Sequence, residues 1–197
     1  MNAPAADEQD AKDMARLVEG HEAALNDLMQ RHAEKLFHYL IRSLQDEDDA
    51  ADLAQETFSK VYLNRTKFDP AQKFTTWLYA IASNLVRDRY RWRSRHPQVS
   101  LDAENEQTGR DLKDALSSDA PSPDEQMQSG ERAASVRKAV AQLPEELSQP
   151  LILAVYQGMS QAEIAQILGC SVKAVETRIY RARRHLREAL SELLQSA

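Results

Sequence analysis

Apolar residues recur at three- and four-residue spacing along most of this chain, and that period limits the fold to packed helices. From Ala24 the stripe runs through Leu25, Leu28/Met29, Leu36/Phe37, Leu40/Ile41 and Leu44. Asp46 and Asp48 then offer N-caps for a second helix to about Tyr62, with Ala50, Leu53/Ala54, Phe58 and Val61 on its inner face. Asp69-Pro70 breaks the pattern. A third helix begins near Lys73, with Phe74, Trp77/Leu78, Ile81/Ala82 and Leu85 pointing inward. No stretch alternates at period two with β-branched residues, so no sheet is expected and the fold class is all-α.

From Pro97 to about Gly130 the period fades into a segment rich in Ser, Asp and Glu, without aromatics. It offers too little apolar surface to offset chain ordering, so it reads as a flexible acidic linker. It also corrects the meaning of the formal charge of −6. Eight acids and two bases fall between 97 and 130, which leaves 23 bases against 23 acids elsewhere. Those bases are clustered, and an interaction screened within about 8 Å responds to the local cluster and not to the chain total.

After the linker come a helix around Glu131 to Leu143 and another from Pro144, a good first helical residue, to about Gln157. Pro150 either kinks that helix or marks a late start. The division is therefore an N-terminal tail and short helix (1–20), a helical bundle (21–96), the linker (97–130) and a second helical domain (131–197). The linker is expected to let the two modules fold separately and to couple them only through effective concentration.

The sharpest local signal runs from Gly158 to Val172. Ser160 and Glu163 have capping-box spacing, Gly169 suits a left-handed C-cap, and Ser171 caps a new helix with Val172, Val175, Ile179, Leu186 and Leu190 inward. A short capped helix, a glycine turn and a longer helix make a helix-turn-helix. The second helix is basic, with Lys173, Arg178, Arg181, Arg183, Arg184 and Arg187 against Glu176 and Glu188. A recognition helix needs base-reading residues near its start and phosphate-binding cations along its length.

A second cluster runs from Asn84 to Arg95, with Arg87, Arg89, Arg91, Arg93 and Arg95 interleaved with Tyr90 and Trp92. A strand with one basic edge is conceivable, but the helical pattern running into it favours a helix with Arg87, Arg91 and Arg95 on one stripe. Rings that stack on bases beside guanidinium groups that hold phosphates suit unstacked DNA. For either ring alone, ordinary core packing is an equal reading. A third feature, Asp52, Gln55, Glu56 and Lys60 opposite the second helix's apolar stripe, reads on its own as a solvated face.

Other chemistry is not expected. The five histidines and Cys170 lack metal-ligand spacing, no phosphate loop or nucleophile-base set can be assembled, and neither cofactor nor small-molecule substrate is predicted. The chain is therefore not read as an enzyme. One cysteine excludes an internal disulfide and suits a reducing cytosol. The longest apolar run is Leu151 to Tyr156, and the first residues, with Asp7, Glu8 and Asp10, do not resemble a signal peptide. A cytoplasmic protein that is not itself a membrane protein is expected.

Asp52-Leu53-Ala54-Gln55-Glu56-Thr57-Phe58, followed by Phe74-Thr75-Thr76-Trp77-Leu78-Tyr79-Ala80-Ile81-Ala82-Ser83-Asn84, resembles the promoter-melting domain of extracytoplasmic-function (ECF) sigma factors. Leu143-Pro144-Glu145 and the stretch from Met159 to Leu186 resemble the same family's second domain. The resemblance implies that Asp52, Gln55, Glu56 and Lys60 bind core RNA polymerase. It implies that Asn84 and Arg87 capture a base flipped from the −10 promoter element, while Arg89, Tyr90, Arg91, Trp92 and Arg93 hold the opened strand. Ser171, Lys173, Glu176, Thr177, Arg178, Tyr180, Arg181 and Arg184 would meet the −35 duplex, and an anti-sigma factor would be a further partner. One departure stands out. Glu176 replaces a frequent base-contacting cation, which points to a different −35 sequence because a carboxylate can accept from cytosine N4. The competing reading is a helix-turn-helix regulator whose N-terminal module senses a ligand or dimerises.

Overall fold

The computed structural model describes residues 3–96 and 133–191, and the expected linker lies outside them. Described residues form helices, one short 3-10 turn and connecting loops. Helix α1 (Ala3–Val18) lies against α2 (Ala23–Leu44), which packs on α3 (Glu47–Leu63) and α4 (Phe74–Arg95). A 3-10 turn, Arg65–Lys67, joins α3 to the loop before α4. The core of this bundle holds Leu28, Leu36, Tyr39, Leu40, Leu53, Phe74 and Leu78, all essentially inaccessible. Of the two N-caps the sequence offers, Asp46 is the one used, its Oδ1 accepting from the Asp49 amide at 2.9 Å, and Asp48 lies inside the helix.

The second module contains α5 (133–141), α6 (Glu145–Tyr156), α7 (Gln161–Leu168) and α8 (Val172–Ala189). Pro144 is the N-cap of α6 and not its first helical residue, and Pro150 is buried inside a helix that continues through it. Ile152, Leu153, Ile164, Ile167, Val175 and Ile179 form the module's apolar centre.

The first helix is longer than the sequence suggests and is held by buried charge. Asp10 and Asp13 share a face with Met14 and Leu17, and all four are almost fully buried. Asp10 accepts from Arg31 Nε at 2.9 Å and lies 2.8 Å from His32 Nε2, while Asp13 accepts from Arg31 Nη2 at 2.6 Å. Buried carboxylates persist only when partnered in this way.

The modules were expected to meet only through the linker, and here they touch. α6 lies on α2 and α7 on α4, and the buried apolar residues of both modules form one continuous cluster. Amphipathic helices on both sides leave apolar edges that bury more surface together than apart.

Candidate nucleic-acid interface

The helix-turn-helix is built by local hydrogen bonds. Ser160 Oγ accepts from the Glu163 amide at 3.3 Å, and Glu163 accepts from the Ser160 amide at 2.9 Å and from its hydroxyl at 2.7 Å. Those bonds, with Lys73 Nζ at 3.0 Å, hold the Glu163 carboxyl down at about 2. Gly169 takes φ +63, a left-handed turn in which a Cβ would be strained, and redirects the chain into α8. Ser171 Oγ accepts from the Ala174 amide at 3.2 Å, so its hydroxyl is engaged as a cap.

On α8, Val175, Ile179 and Ala182 are buried, which turns Lys173, Glu176, Tyr180, Arg181 and Arg184 to solvent. Tyr180 is 67% exposed, far more than packing would leave an aromatic ring. Glu176 pairs with Lys173 at 2.8 Å, so the departure from the family pattern carries its own cation. Thr177 Oγ1 donates back to the Lys173 carbonyl at 2.9 Å. Arg178 points away from this face, with Nη1 3.5 Å from Cys170 Sγ.

The arginines of α4 divide into two groups. Arg89 and Arg93 form ion pairs with Asp49, and Arg93 also reaches Asp46 at 3.2 Å, tying α4 to the start of α3. Tyr90 donates to the Ser43 carbonyl. These three are anchored within the bundle. Arg91 and Arg95 are exposed and Arg87 half-buried, along the stripe that helical spacing predicts. Trp92 is 46% exposed and stacks on His96 at 4.9 Å and 23°, presenting an aromatic surface next to that stripe.

Asn84 opens onto a cavity of about 290 Å³ whose walls include Trp77, Ile81, Lys60, Lys67 and Asp88. Arg87 Nη1 donates to Asn84 Oδ1 at 3.3 Å, leaving the amide N–H groups as donors. Trp77 and Ile81 are half-buried because they line this cavity. Lys60, grouped from the sequence with the outer face of α3, also lines it, although Glu56 pairs with it at 3.4 Å. Asp52, Gln55 and Glu56 are exposed.

Comparison with known proteins matches these two modules to two family descriptions: "Sigma-70 region 2" over residues 28–96 and "Sigma-70, region 4" over residues 133–186. The RNA polymerase sigma-H factor of Pseudomonas aeruginosa is 34% identical, over 96% of this chain and 98% of its own. The ECF RNA polymerase sigma factor SigW of Bacillus subtilis is 33% identical over 92% and 97%. The chain belongs to the ECF sigma factors of the sigma-70 family.

Solved structures agree with this sigma factor's fold. One described as CnrH in complex with the cytosolic domain of CnrY is 29% identical, with a TM-score of 0.66, over 95% of this chain and 98% of that one. The sigma factor RpoE of Bartonella quintana, solved with the anti-sigma factor NepR, shares the fold at a TM-score of 0.67 and 23% identity, over 84% and 96%. No described helix is long and apolar enough to cross a membrane.

The sequence reading missed the buried Asp10, Asp13, Arg31 and His32 network and the place of Lys60 in the Asn84 cavity. The i, i+3 and i+4 spacing of Asp10, Asp13 and Met14 could have revealed the first, because it puts two carboxylates on an apolar face. Nothing in the order of residues pointed to the second.

Proposed function

We propose that this sigma factor binds core RNA polymerase and directs it to promoters through two separate DNA-reading surfaces. The observation that carries the reading is the cavity beneath Asn84, which is large enough for a planar base and adjoins the Arg87–Arg91 stripe, whose contacts stay within α4. A base that leaves the stack loses a few kcal/mol, and a fitted pocket with backbone contacts offsets that loss. In this reading Asn84 presents amide donors to the flipped −10 base, Lys60 and Lys67 stand at the cavity wall, and Arg87 and Arg91 hold strand phosphates. Trp92 supplies a stacking surface.

Lys173, Glu176, Tyr180, Arg181 and Arg184 read the −35 duplex from the exposed face of α8. Ser171, Thr177 and Arg178 support that helix by capping it, closing its first turn and bracing its start. Asp52, Gln55 and Glu56 meet polymerase. Such a protein works in the cytoplasm. The likeness to a sigma factor solved with a partner's cytosolic domain supports control by an anti-sigma factor.

Run-off transcription tests the proposal. Core polymerase with this protein should yield discrete promoter-dependent transcripts that core alone does not. Equal output with and without the protein, across templates drawn from the source genome, would refute it.

A further inference from the structure

The cleft where α6 approaches α4 holds the chain's one thiol and a set of charges that promoter reading leaves unexplained. Cys170, half-buried in the turn between α7 and α8, lines this cleft of about 350 Å³. That volume lies at the lower end of the ~300–1,000 Å³ of small-molecule sites. Most of the wall belongs to the second module, with Glu145, Glu146, Gln149 and Arg178 around the turn. Arg87 and Arg91 close the other side, and their side-chain hydrogen bonds and ion pairs stay within α4.

Two observations point to an occupant. Gln149 is 2% exposed, and its Nε2 donates to Glu145 Oε1 at 2.8 Å, which fixes the orientation of the amide. Its Oε1 then has no hydrogen-bond partner among the described residues, and a buried acceptor left bare calls for a donor. The second observation is at Glu145, where desolvation pushes the carboxyl up although Arg87 and Arg91 pull it down, so its charge is under-compensated. The bare acceptor and the two glutamates suit a cation with N–H donors, while the arginines suit carboxylates or phosphates. A simple anion satisfies only the arginines, and a zwitterion satisfies both sets. Arg178 Nη1 donates to Cys170 Sγ at 3.5 Å, so a guanidinium rests on the sulfur as well.

We propose that Cys170 is a mixed-disulfide site for a small zwitterionic thiol, a peptide-like molecule carrying carboxylates, an ammonium group and one sulfur. The ammonium group donates to Gln149 Oε1 and pairs with Glu145 and Glu146, and the carboxylates pair with Arg87 and Arg91. The oxidant is the molecule's own symmetric disulfide. After the Cys170 proton leaves to solvent, the thiolate attacks one sulfur of that disulfide. The Cys170 S–S bond forms as the original S–S bond breaks, and the other half departs as a thiolate. Cys170 is oxidised, the departing sulfur is reduced, and a second thiol reverses the exchange. The adduct takes up two cations that the promoter reading assigns to strand phosphates, and this consequence rests on that reading.

In the test, the full chain is incubated with oxidised glutathione or with uncharged bis(2-hydroxyethyl) disulfide, and adduct formation is followed by intact mass. Relative to the same rate ratio in urea-unfolded chain, the folded protein should favour oxidised glutathione about tenfold, the effect of one or two half-exposed charge pairs. Arg91→Gln, at an exposed position, should remove most of that preference with circular dichroism unchanged. Gln149→Met should lower it too, and Cys170→Ser should form no adduct. A preference no greater than in urea, or one untouched by Arg91→Gln, overturns the proposal. The glutathionyl adduct should bind oligo(dT) about tenfold more weakly, from the loss of one or two phosphate contacts, and dithiothreitol should restore it. The hydroxyethyl adduct should bind as the unmodified chain does. Equal binding by the two adducts overturns the placement of the carboxylates on Arg87 and Arg91. An unmodified chain that binds no oligo(dT) strikes the promoter reading instead and leaves the exchange rates standing, so the two failures are distinguishable.

Discussion

Glu163→Gln should destabilise the protein at neutral pH and lose that effect in acid. The carboxyl is lowered from its ordinary 4.5 to about 2, chiefly because it accepts from the Ser160 hydroxyl and amide, with Lys73 adding to the effect. At about 1.4 kcal/mol per tenfold change in proton affinity, that gap sets a ceiling of about 3 kcal/mol. The side chain is 25% exposed, and glutamine can still accept one bond, so about 2 kcal/mol is expected for the neutral isostere. For a cooperative unit of this size the melting midpoint should fall by roughly 6 °C. Because the folded-state value is depressed, the stabilisation is present above about 4.5 and declines as pH falls toward about 2. Thermal melts of both proteins by circular dichroism at pH 7 and pH 2.5 check this. Their separation should shrink to about a quarter at the lower pH by the same linkage relation. A separation equally large at both values would refute the argument that the carboxylate's charge, and not its shape, secures the turn.

Three further outcomes follow from the placement of other charges. Asp52→Arg should weaken pull-down of core polymerase while leaving the melting midpoint unchanged, because Asp52 is exposed and makes no bond within the bundle. Arg181→Ala should cost about 1–3 kcal/mol in −35 duplex affinity, while Asn84→Ala leaves that affinity alone and lowers permanganate reactivity of −10 thymines in polymerase complexes. Arg93→Ala should lower stability by about 1–2 kcal/mol in a denaturant melt, since it strips a partner from the half-buried Asp49 cluster. Arg91→Ala should leave that melt unchanged and weaken single-strand binding.

These contrasts separate charges that the sequence presents as alike. Arg87, Arg89, Arg91 and Arg93 alternate along one helix, and composition assigns them one role. In the folded chain Arg89 and Arg93 are drawn to Asp49, forty and forty-four residues away, whereas Arg87 and Arg91 bond only to Asn84 and Asp88 on their own helix. Lys60 likewise belongs by spacing to the α3 outer face, yet α4 closes a cavity over it. Burial marks a different class of residue at Glu145, whose carboxyl is pushed up by desolvation against the opposing pull of Arg87 and Arg91. Such effects depend on which helix arrives as a neighbour.

What the sequence determined by itself is therefore local. Helix spans after the first, the Ser160 cap, the Gly169 turn and the basic recognition helix all rest on contacts within a few residues, where side-chain chemistry and backbone preference act directly. The two-module order was legible for the same reason, since each module has its own apolar stripes. Tertiary structure decided which arginines are tied to α3, where the Asn84 cavity closes and how Glu145 comes to face Arg87. Each of those depends on groups tens of residues apart, brought together only when apolar faces of distant helices are removed from water, and no spacing within one helix encodes that encounter.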